Sequence, residues 1–298
     1  MTDSARERIV VIIGSGAIGL AAARRFGPAC RLLVADNSEV RLEAAIRSLT
    51  DDGHRADAMT IDVRDDATVA AVAAAAGTAG TVTAVIHTAG VSPSQASAGD
   101  IFAINLVGTA HVIDRFLDVA SPGTSLVCVA SMAGHKQRVD PALESELATT
   151  PTGQLLGISL FDLGTADTSF AYHVAKRGVH LRVAVASWAW GRKGARVNSV
   201  SPGIIWTPMS RQEFGGERGD SMRSTVASLA VPRVGTPEDI AVAIEFLCSP
   251  AASYITGTDL LIDGGATAAR RWPSHLQGPL STIGLVTAPA NRFLDLSQ

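Results

Sequence analysis

A tyrosine and a lysine stand four positions apart in the segment Tyr172-His173-Val174-Ala175-Lys176. In a helix this spacing places both side chains on one face. A phenol loses its proton at about pH 10, and a neighbouring ammonium group favours the phenolate. The pair is therefore a candidate for general acid–base catalysis, with Ser131 as a hydroxyl that could hold a substrate oxygen against Tyr172. Tyrosine and lysine at this spacing are more often surface neighbours, so the pair alone does not establish the chemistry.

A glycine-rich loop, Gly14-Ser15-Gly16-Ala17-Ile18-Gly19, follows an apolar run and opens a segment of helical spacing. Glycines in such a loop permit a tight turn and let the backbone approach a pyrophosphate held at the helix N-terminus. Methyltransferases and turn-rich loops show the same pattern. The position of this loop after the first strand favours a nucleotide site.

Acidic residues follow the next two apolar runs. Asp36 comes about twenty residues after the loop, where a carboxylate can accept hydrogen bonds from both ribose hydroxyls and repel a 2′-phosphate. This predicts NAD(H) rather than NADP(H), although Arg41 lies close enough to weaken the preference unless it is a solvated helix residue. The alternative for Asp36 is a helix N-cap. Asp62-Val63 is predicted to hold the adenine, and a simple turn is the alternative there.

Short apolar runs alternate along the chain with longer, alanine-rich segments. The runs predict seven strands, at 9–13, 31–35, 58–61, 82–87, 125–130, 195–200 and 259–262. The segments of helical spacing predict helices at 18–26, 39–49, 66–76, 100–119, 171–190 and 237–247. Continuous apolar strands between helices are typical of a parallel sheet that is covered on both faces.

The predicted fold is therefore α/β, a single doubly wound Rossmann domain with a mostly parallel seven-stranded sheet and helices on both faces. The domain spans 1–270 and is followed by a C-terminal extension, 271–298. Two segments interrupt the alternation, an insertion at about 134–169 and a predicted substrate lid at about 204–231 with candidate hinges at Gly215, Gly216 and Gly219.

At this point the sequence resembles the short-chain dehydrogenase/reductase family, over roughly residues 8 to 266. The resemblance depends on motifs that occur in the family's order: the glycine-rich loop, Asp62-Val63, His87-Thr88-Ala89-Gly90, Asn105, Ser131, Tyr172 with Lys176, Asn198-Ser199-Val200-Ser201-Pro202-Gly203, and Asp263-Gly264-Gly265. It implies an NAD(H)-dependent oxidoreductase that interconverts a secondary alcohol and a ketone.

The resemblance also implies roles for individual residues. Tyr172 would be the acid/base, Lys176 would lower its pKa and bind the nicotinamide ribose, and Ser131 would orient the carbonyl. Asn105 would hold a water in a proton relay, or would mark a hydrogen-bonded kink in a long helix. The remaining cofactor contacts implied are Ala89, Gly90, Pro202, Gly203, Ile205 and Thr207. The alternative for Thr207 is a loop cap.

Three features depart from the family's pattern. The glycine-rich loop is one residue shorter than usual, with Ile13 in place of a threonine. His87-Thr88 stands where the family often has two asparagines, and a histidine there is expected to pack within the sheet. Ser131 and Tyr172 are 41 positions apart, much more than is usual.

The long interval resembles an insertion in bacterial enzymes similar to 3α-hydroxysteroid dehydrogenase/carbonyl reductase. The insertion would lie beside the helices through which many family members assemble, so it would alter the family's common tetramer. The expected assembly is a homodimer or a homotetramer. Its apolar residues either line an apolar substrate mouth or pack a helix: Leu155, Leu156, Ile158, Leu160 and Phe161. Trp206, Met209 and Phe214 suggest a lipophilic, steroid-like substrate. The tail residues Leu280, Ile283, Leu285 and Val286 would cover a neighbouring subunit or the pocket.

Composition excludes several other classes of protein. Hydrophobic residues make up 47% and charged residues 18%, which is typical of a globular protein. The net charge is −3 and the charged residues are scattered along the chain, so neither nucleic acid nor a membrane is expected as a partner. Three widely spaced cysteines and the polar N-terminus favour a cytoplasmic protein without metal. A catalytically silent dinucleotide sensor is the alternative function, and a methyltransferase or an extended-type sugar epimerase fits the motifs poorly.

Overall fold

The computed structural model describes residues 6–136, 139–158, 167–216 and 219–272. Seven strands form the sheet: β1 (Arg8–Ile13), β2 (Arg31–Asp36), β3 (Ala56–Thr60), β4 (Thr81–His87), β5 (Ser125–Val129), β6 (Arg196–Pro202) and β7 (Asp259–Ile262). The helices are α1 (Ala17–Phe26), α2 (Glu39–Asp51), α3 (Asp66–Ala79), α4 (Ala98–Ile101), α5 (Gly108–Val119), α6 (Pro141–Thr149), α7 (Thr168–Arg192), α8 (Pro208–Gly215), α9 (Gly219–Ala227), α10 (Pro237–Cys248) and α11 (Ala266–Arg271).

The strands lie in the order β3-β2-β1-β4-β5-β6-β7, and each neighbouring pair is parallel. The chain runs outward from β1 to β3, then crosses back and places β4 on the other side of β1. In such sheets the ligand crevice opens at the carboxyl ends of the strands where the order reverses. Ile13 pairs with both Ala35 and His87 at that position. The predicted doubly wound fold is confirmed, and the sheet described here is entirely parallel.

Alternate residues of the strands supply the cores on the two faces of the sheet. Val11 and Ile13 pack with α3, α5 and α7, and Val10 and Ile12 pack with α1, α2 and α10. These side chains are completely buried. Because both faces are covered, the strands are apolar throughout, which is why the sequence shows them as continuous runs.

The helix predicted over 100–119 is not continuous, and this prediction was wrong in its geometry. Between α4 and α5 the backbone forms a π-helical segment, Phe102–Val107, which contains Asn105. A π-helical turn inserts one residue into the helical repeat and often occurs at functional sites. Beyond it, Gly108 packs so closely on Val63 that an added Cβ would lie 2.6 Å from Val63 Cγ2. The widened turn therefore precedes a tight contact between α5 and the end of β3.

The insertion has helical structure of its own and packs against α7. Leu147 of α6 and Leu155, from the 3₁₀ turn Thr152–Gly157, are fully buried beside Ala171 and Val174. Arg182 of α7 donates a 2.6 Å hydrogen bond to the carbonyl oxygen of Thr150. Leu155 and Ile158 thus pack a helix rather than line an open mouth, whereas Leu156 is exposed; Leu160 and Phe161 lie outside the described residues.

The segment predicted as a lid contains α8 and α9, two short helices after β6. The tail residues Leu280, Ile283, Leu285 and Val286 lie outside the described residues. In the described part of the chain, no helix combines the length and the apolar character needed to cross a membrane.

Candidate active site

The glycine-rich loop makes a tight turn that only glycine can occupy at two positions. Gly14 has a φ of 101°, and its N–H donates a 2.7 Å hydrogen bond to the Ala35 carbonyl oxygen. A Cβ at Gly14 would lie 2.5 Å from Thr88 Oγ1, and one at Gly19 would overlap the Gly14 carbonyl oxygen. The two glycines thus allow the loop to fold back onto the start of α1.

The N-terminus of α1 faces the crevice without a side-chain cap. Gly16 is the N-cap residue, has no side-chain hydrogen bond to the helix, and would have no described atom within 4 Å of an added Cβ. The first N–H groups of a helix have no partner within the helix and carry a partial positive charge. Open space beside uncapped donors fits the pyrophosphate of a dinucleotide. Ala17 and Ile18 belong to this first turn.

Asp36 is buried at the end of β2 and accepts four hydrogen bonds. Its Oδ2 accepts from both the N–H and the hydroxyl of Ser15 at 2.8 Å, and Oδ1 accepts from Ser38 N–H at 3.0 Å and Arg41 Nη2 at 2.7 Å. Burial raises the pKa of the carboxyl, but the hydrogen bonds outweigh this and hold it below its usual value. The carboxylate is therefore ionised. Ser38 rather than Asp36 is the N-cap of α2, so the N-cap alternative for Asp36 was wrong.

The other predicted adenine and nicotinamide contacts have local partners. The Asp62 carboxylate pairs with Arg64 at 2.7 Å, and the Val63 carbonyl oxygen lies 2.9 Å from His111 Nδ1. At the opposite end of the crevice, Gly203 N–H donates to the Ile262 carbonyl oxygen at 2.8 Å, directly after Pro202.

Two further predicted residues lie on the segment that leaves β6. Ile205 is buried and forms a bridge to Gly235. Thr207 accepts a 3.2 Å hydrogen bond from Ser210 N–H, so it does cap the start of the following helix, as the alternative for this residue held.

Lys176 lies on the same side of α7 as Tyr172, with Nζ 5.8 Å from the centre of the tyrosine ring. The amine is buried and donates a 3.0 Å hydrogen bond to the Val129 carbonyl oxygen. Burial lowers the pKa of Lys176 to about 8, against an opposing effect of the Cys128 thiol. Lysine has three N–H donors. Among the described residues one is used, so two remain for a ligand or water.

Asn105 is fixed to the backbone of one residue by both ends of its amide. Its Oδ1 accepts from Val91 N–H and its Nδ2 donates to the Val91 carbonyl oxygen, each at 2.9 Å. A Cβ at Gly90 would lie 2.9 Å from Asn105 Oδ1 and 3.5 Å from Lys176 Nζ. Gly90, next to Ala89, therefore packs against both the side-chain oxygen of Asn105 and the amine of Lys176.

Ser131 caps the short turn that follows β5. Its Oγ accepts a 3.1 Å hydrogen bond from Ala133 N–H. Within the described ranges its own proton has no acceptor, so the hydroxyl can still donate to a substrate oxygen. Ser131 comes two residues after Val129, whose carbonyl oxygen holds Lys176. The structure thus brings the serine strand and the tyrosine helix together although 41 positions separate them in the sequence.

His87 is a packed residue of the sheet, as expected. It is 1% exposed, and its Nε2 lies 3.0 Å from Thr109 Oγ1. Burial, followed by the charge of Lys176, lowers the pKa of His87 to about 3. Because the ring stays neutral, it cannot act as an acid near neutral pH. Its Nδ1 is buried with no partner among the residues described.

Profiles of known families match the chain in two adjoining parts. The profile described as short chain dehydrogenase matches residues 8–142, and that described as enoyl-(acyl carrier protein) reductase matches residues 139–267. The short-chain dehydrogenase/reductase bsc3 of Alternaria brassicicola is 36% identical over 264 residues, which are 88% of this chain and 96% of the relative. The chain belongs to the short-chain dehydrogenase/reductase family.

Two other similarities agree with this assignment. The 3beta-hydroxysteroid dehydrogenase 1 of Eggerthella lenta is 29% identical over 275 residues, covering 90% of this chain and 96% of the relative. The crystal structure of an actinorhodin polyketide ketoreductase with NADPH has a TM-score of 0.70 at 23% identity, covering 88% of this chain and 97% of that one, and shows the same fold. This short-chain dehydrogenase/reductase is thus an oxidoreductase of alcohols and ketones that uses a nicotinamide dinucleotide.

Several residues of the site were missed by the sequence analysis of this short-chain dehydrogenase/reductase. Val91 forms hydrogen bonds with the side chain of Asn105, and Thr109 forms one with His87. Gly134 lets the turn after Ser131 pack closely on α7, since a Cβ there would lie 2.9 Å from the Lys176 carbonyl oxygen. Only Gly134 has a visible signal, a glycine three residues after Ser131. The contacts of Val91 and Thr109 depend on the π-helical turn, which hydrophobic periodicity does not reveal.

Proposed function

We propose that this short-chain dehydrogenase/reductase is an NAD(H)-dependent enzyme that interconverts a secondary alcohol and a ketone, with Tyr172 as the general acid and base. The observation that carries the proposal is the buried amine of Lys176, 5.8 Å from the Tyr172 ring and beside Asn105. A buried ammonium favours the phenolate form of a nearby tyrosine, which brings a phenol into the range useful for proton transfer near neutral pH.

The proton moves at the phenolic oxygen of Tyr172. In the direction of reduction, Tyr172 donates its proton to the substrate carbonyl oxygen while the Ser131 hydroxyl donates a hydrogen bond to the same oxygen. In the direction of oxidation, the tyrosine removes the proton of the substrate hydroxyl. A bound nicotinamide supplies or accepts the hydride.

Asn105 would take part in returning the proton through its backbone. Both ends of its side-chain amide are bonded to Val91, so we place the relay water at the main-chain carbonyl oxygen of Asn105. That oxygen accepts a hydrogen bond from Thr109 Oγ1 at 2.9 Å. In the proposed relay, a water beside it would exchange protons with the amine of Lys176.

The choice of NAD(H) rests on the negative charge of Asp36. The carboxylate is ionised and buried at the end of β2, where the adenosine ribose would lie, and it would repel a 2′-phosphate. Its four accepted hydrogen bonds leave little free capacity. The ribose hydroxyls would therefore replace the partly exposed Arg41, which is the donor most easily displaced.

The substrate is proposed to be lipophilic and cyclic. Trp206 and Phe214 stack with ring centroids 5.6 Å apart on the segment that follows β6, and Trp206 remains 39% exposed. Aromatic surface exposed beside a catalytic crevice suits an apolar ligand. A relative is named a 3beta-hydroxysteroid dehydrogenase, which is consistent with this class of substrate.

The proposal is tested by two measurements on the purified chain. A fluorescence titration with NADH and with NADPH should show tighter binding of NADH. A turnover screen with NAD⁺ should show oxidation of cyclic or steroid-like secondary alcohols well above that of small polar alcohols. Tighter binding of NADPH would overturn the cofactor assignment, and a preference for small polar alcohols would overturn the substrate class. Binding of a dinucleotide without turnover of any alcohol would favour the catalytically silent sensor.

A further inference from the structure

Two histidines and an aspartate meet on the α7 side of the sheet, beyond the catalytic residues. His135 Nε2 lies 2.7 Å from Asp259 Oδ2, and His180 Nε2 lies 3.4 Å from Asp259 Oδ1. One potential ligand atom from each of the three residues lies within 4.8 Å of the others. The residues come from three separate elements: the 3₁₀ turn Met132–His135, helix α7 and strand β7.

The protonation states of His180 and Asp259 suit a cation. Burial lowers the pKa of His180 to about 4, so its imidazole is neutral at physiological pH. Burial raises the pKa of the Asp259 carboxyl, but the hydrogen bond from His135 and further partners outweigh this and keep it below its usual value. A neutral imidazole and a carboxylate are the forms that coordinate metals.

Two serine hydroxyls hold the carboxylate in place. Ser199 and Ser201 of β6 each donate to Asp259 Oδ1, at 2.6 Å and 3.0 Å. Hydrogen bonds of this kind to a ligating carboxylate fix its orientation and raise the affinity for the ion. Oδ2, which has no serine partner, faces His135.

We propose that His135, His180 and Asp259 bind a divalent zinc ion. Two imidazoles and one carboxylate, with a fourth position left for water, are an established ligand set for zinc. The side chain of His135 is 28% exposed, which gives the ion and a water a path to the site. Because zinc–nitrogen bonds are about 2.0–2.1 Å long, the three ligand atoms, which lie within 4.8 Å of one another, must move around the ion when it binds.

The hydrogen bonds of His180 are compatible with binding of zinc at its Nε2 atom. Its Nε2 lies 2.8 Å from Ser201 Oγ, which donates to Asp259, so without an ion Nε2 carries the imidazole proton. Its Nδ1 is buried and has no partner among the described residues. When zinc binds Nε2, the imidazole proton moves to Nδ1, so the neutral ring keeps one N–H, and Nδ1 has no partner among the described residues in either tautomer.

The ion would join elements that carry the catalytic residues. His135 comes four residues after Ser131, and His180 follows Lys176 by one turn of α7. Asp259 lies opposite Ser199 on the last strand of the described sheet. Zinc would thus clamp the serine turn and the tyrosine helix to the sheet without touching the reacting atoms. This inference does not depend on the proposed substrate or cofactor.

The test uses the full chain without an affinity tag, stripped with a chelator and titrated with zinc chloride against a chromophoric chelator. We expect one zinc ion per chain and a higher melting temperature in its presence. In His135→Gln the side-chain amide can still donate to Asp259 but the imidazole ligand is lost. Its affinity should fall by at least the roughly 10- to 100-fold that loss of an outer-shell partner causes.

His54→Gln is the matched control, because His54 lies outside the cluster and its replacement should leave zinc affinity unchanged. Cobalt(II) added in place of zinc gives a second readout, since a tetrahedral site produces a visible absorption band that His135→Gln should lack. The inference is wrong if the wild-type chain binds no zinc, or if His135→Gln binds it as tightly as the wild type.

Discussion

The two ends of the crevice are built in different ways. At the nucleotide end, Asp36 has four hydrogen-bond donors and the loop at Gly14 is closed by backbone contacts. At the chemical end, among the residues that the structure describes, the charge of Lys176 is buried with one hydrogen bond to protein, and Nδ1 of His87 is buried without a partner. The charged side chain of the first end is satisfied by the protein itself, whereas the buried amine of the second keeps donors for a ligand.

The difference has a physical meaning. A fully bonded carboxylate in a rigid turn stabilises the fold and preforms the shape that receives the dinucleotide. A buried and incompletely bonded ammonium destabilises the fold, and in the proposed mechanism its charge favours the phenolate of Tyr172. Stability and chemistry are thus separated along one crevice, and substitutions at the two ends should have opposite effects.

The largest effect is expected for Tyr172→Phe, which removes the phenolic oxygen and leaves the ring. Turnover should fall by roughly 10²- to 10⁴-fold, the usual contribution of a general acid or base. Binding of the dinucleotide should remain unchanged, because the loop and Asp36 are far along the crevice. Steady-state kcat and an NADH titration measure the two quantities, and comparable turnover in the variant would show that another group moves the proton.

The nucleotide end is probed by a pair of glycine substitutions. Gly19→Ala places a methyl group against the Gly14 carbonyl oxygen, so the loop must shift and the free energy of unfolding should fall by about 1–3 kcal/mol. Gly16→Ala meets no described atom within 4 Å and should unfold like the wild type. Urea denaturation separates the two, and NADH titration should show weaker binding for both. Equal stability of the two variants would contradict the described loop geometry.

The chemical end should behave in the opposite way in Lys176→Met. The folded-state pKa of about 8 lies below the ordinary value of 10.5, so the unfolded chain binds a proton more readily between these values. Stability then rises with pH across this window, and the penalty of the buried charge is fully present below about pH 8. Removing the charge should raise the free energy of unfolding at pH 7 by about 3 kcal/mol, and the gain should shrink as the pH approaches 10.5.

Urea denaturation of Lys176→Met at pH 7 and pH 10 checks this, with Lys193→Met as the control. Lys193 is exposed and donates to the carbonyl oxygens of Leu117 and Asp118, so its replacement should lower the free energy of unfolding by about 1 kcal/mol rather than raise it. Turnover of Lys176→Met should fall although the fold is more stable. A destabilised Lys176→Met at pH 7 would mean that the hydrogen bond to Val129 outweighs the burial of the charge.

Much of this comparison could be predicted from the sequence. The apolar runs predicted all seven strands to within about two residues, because strands buried on both faces leave an unbroken hydrophobic signal. The glycines of the loop and the Tyr172–Lys176 spacing were visible because their chemistry requires those residue types at adjacent positions. The family comparison confirms the resemblance that these motifs carry.

Other parts depend on contacts between distant segments and could not be predicted. The π-helical turn at Asn105 follows from a side chain bonded to Val91, which periodicity does not encode. The cluster of His135, His180 and Asp259 requires the register of β6 against β7 and the packing of α7, so its residues are scattered over 124 positions in the sequence. Local patterns reveal elements and motifs, whereas the partners of a buried polar group are set by the assembled fold.

The smallest effect, and the sharpest for the nucleotide end, is expected from Asp36→Asn. The substitution keeps the shape of the side chain but removes the charge that opposes a 2′-phosphate, while Arg41 stays within reach of one. The ratio of the dissociation constants for NADPH and NADH should shift toward NADPH by about tenfold, which corresponds to roughly 1.4 kcal/mol. Arg41→Ala should shift it the other way, because the positive charge 2.7 Å from Asp36 is lost while the carboxylate remains. Fluorescence titrations of the two variants and the wild type measure this ratio. Shifts of opposite sign mean that the charges of Asp36 and Arg41 together set the cofactor preference. An unchanged ratio in Asp36→Asn means that Asp36 only holds the loop.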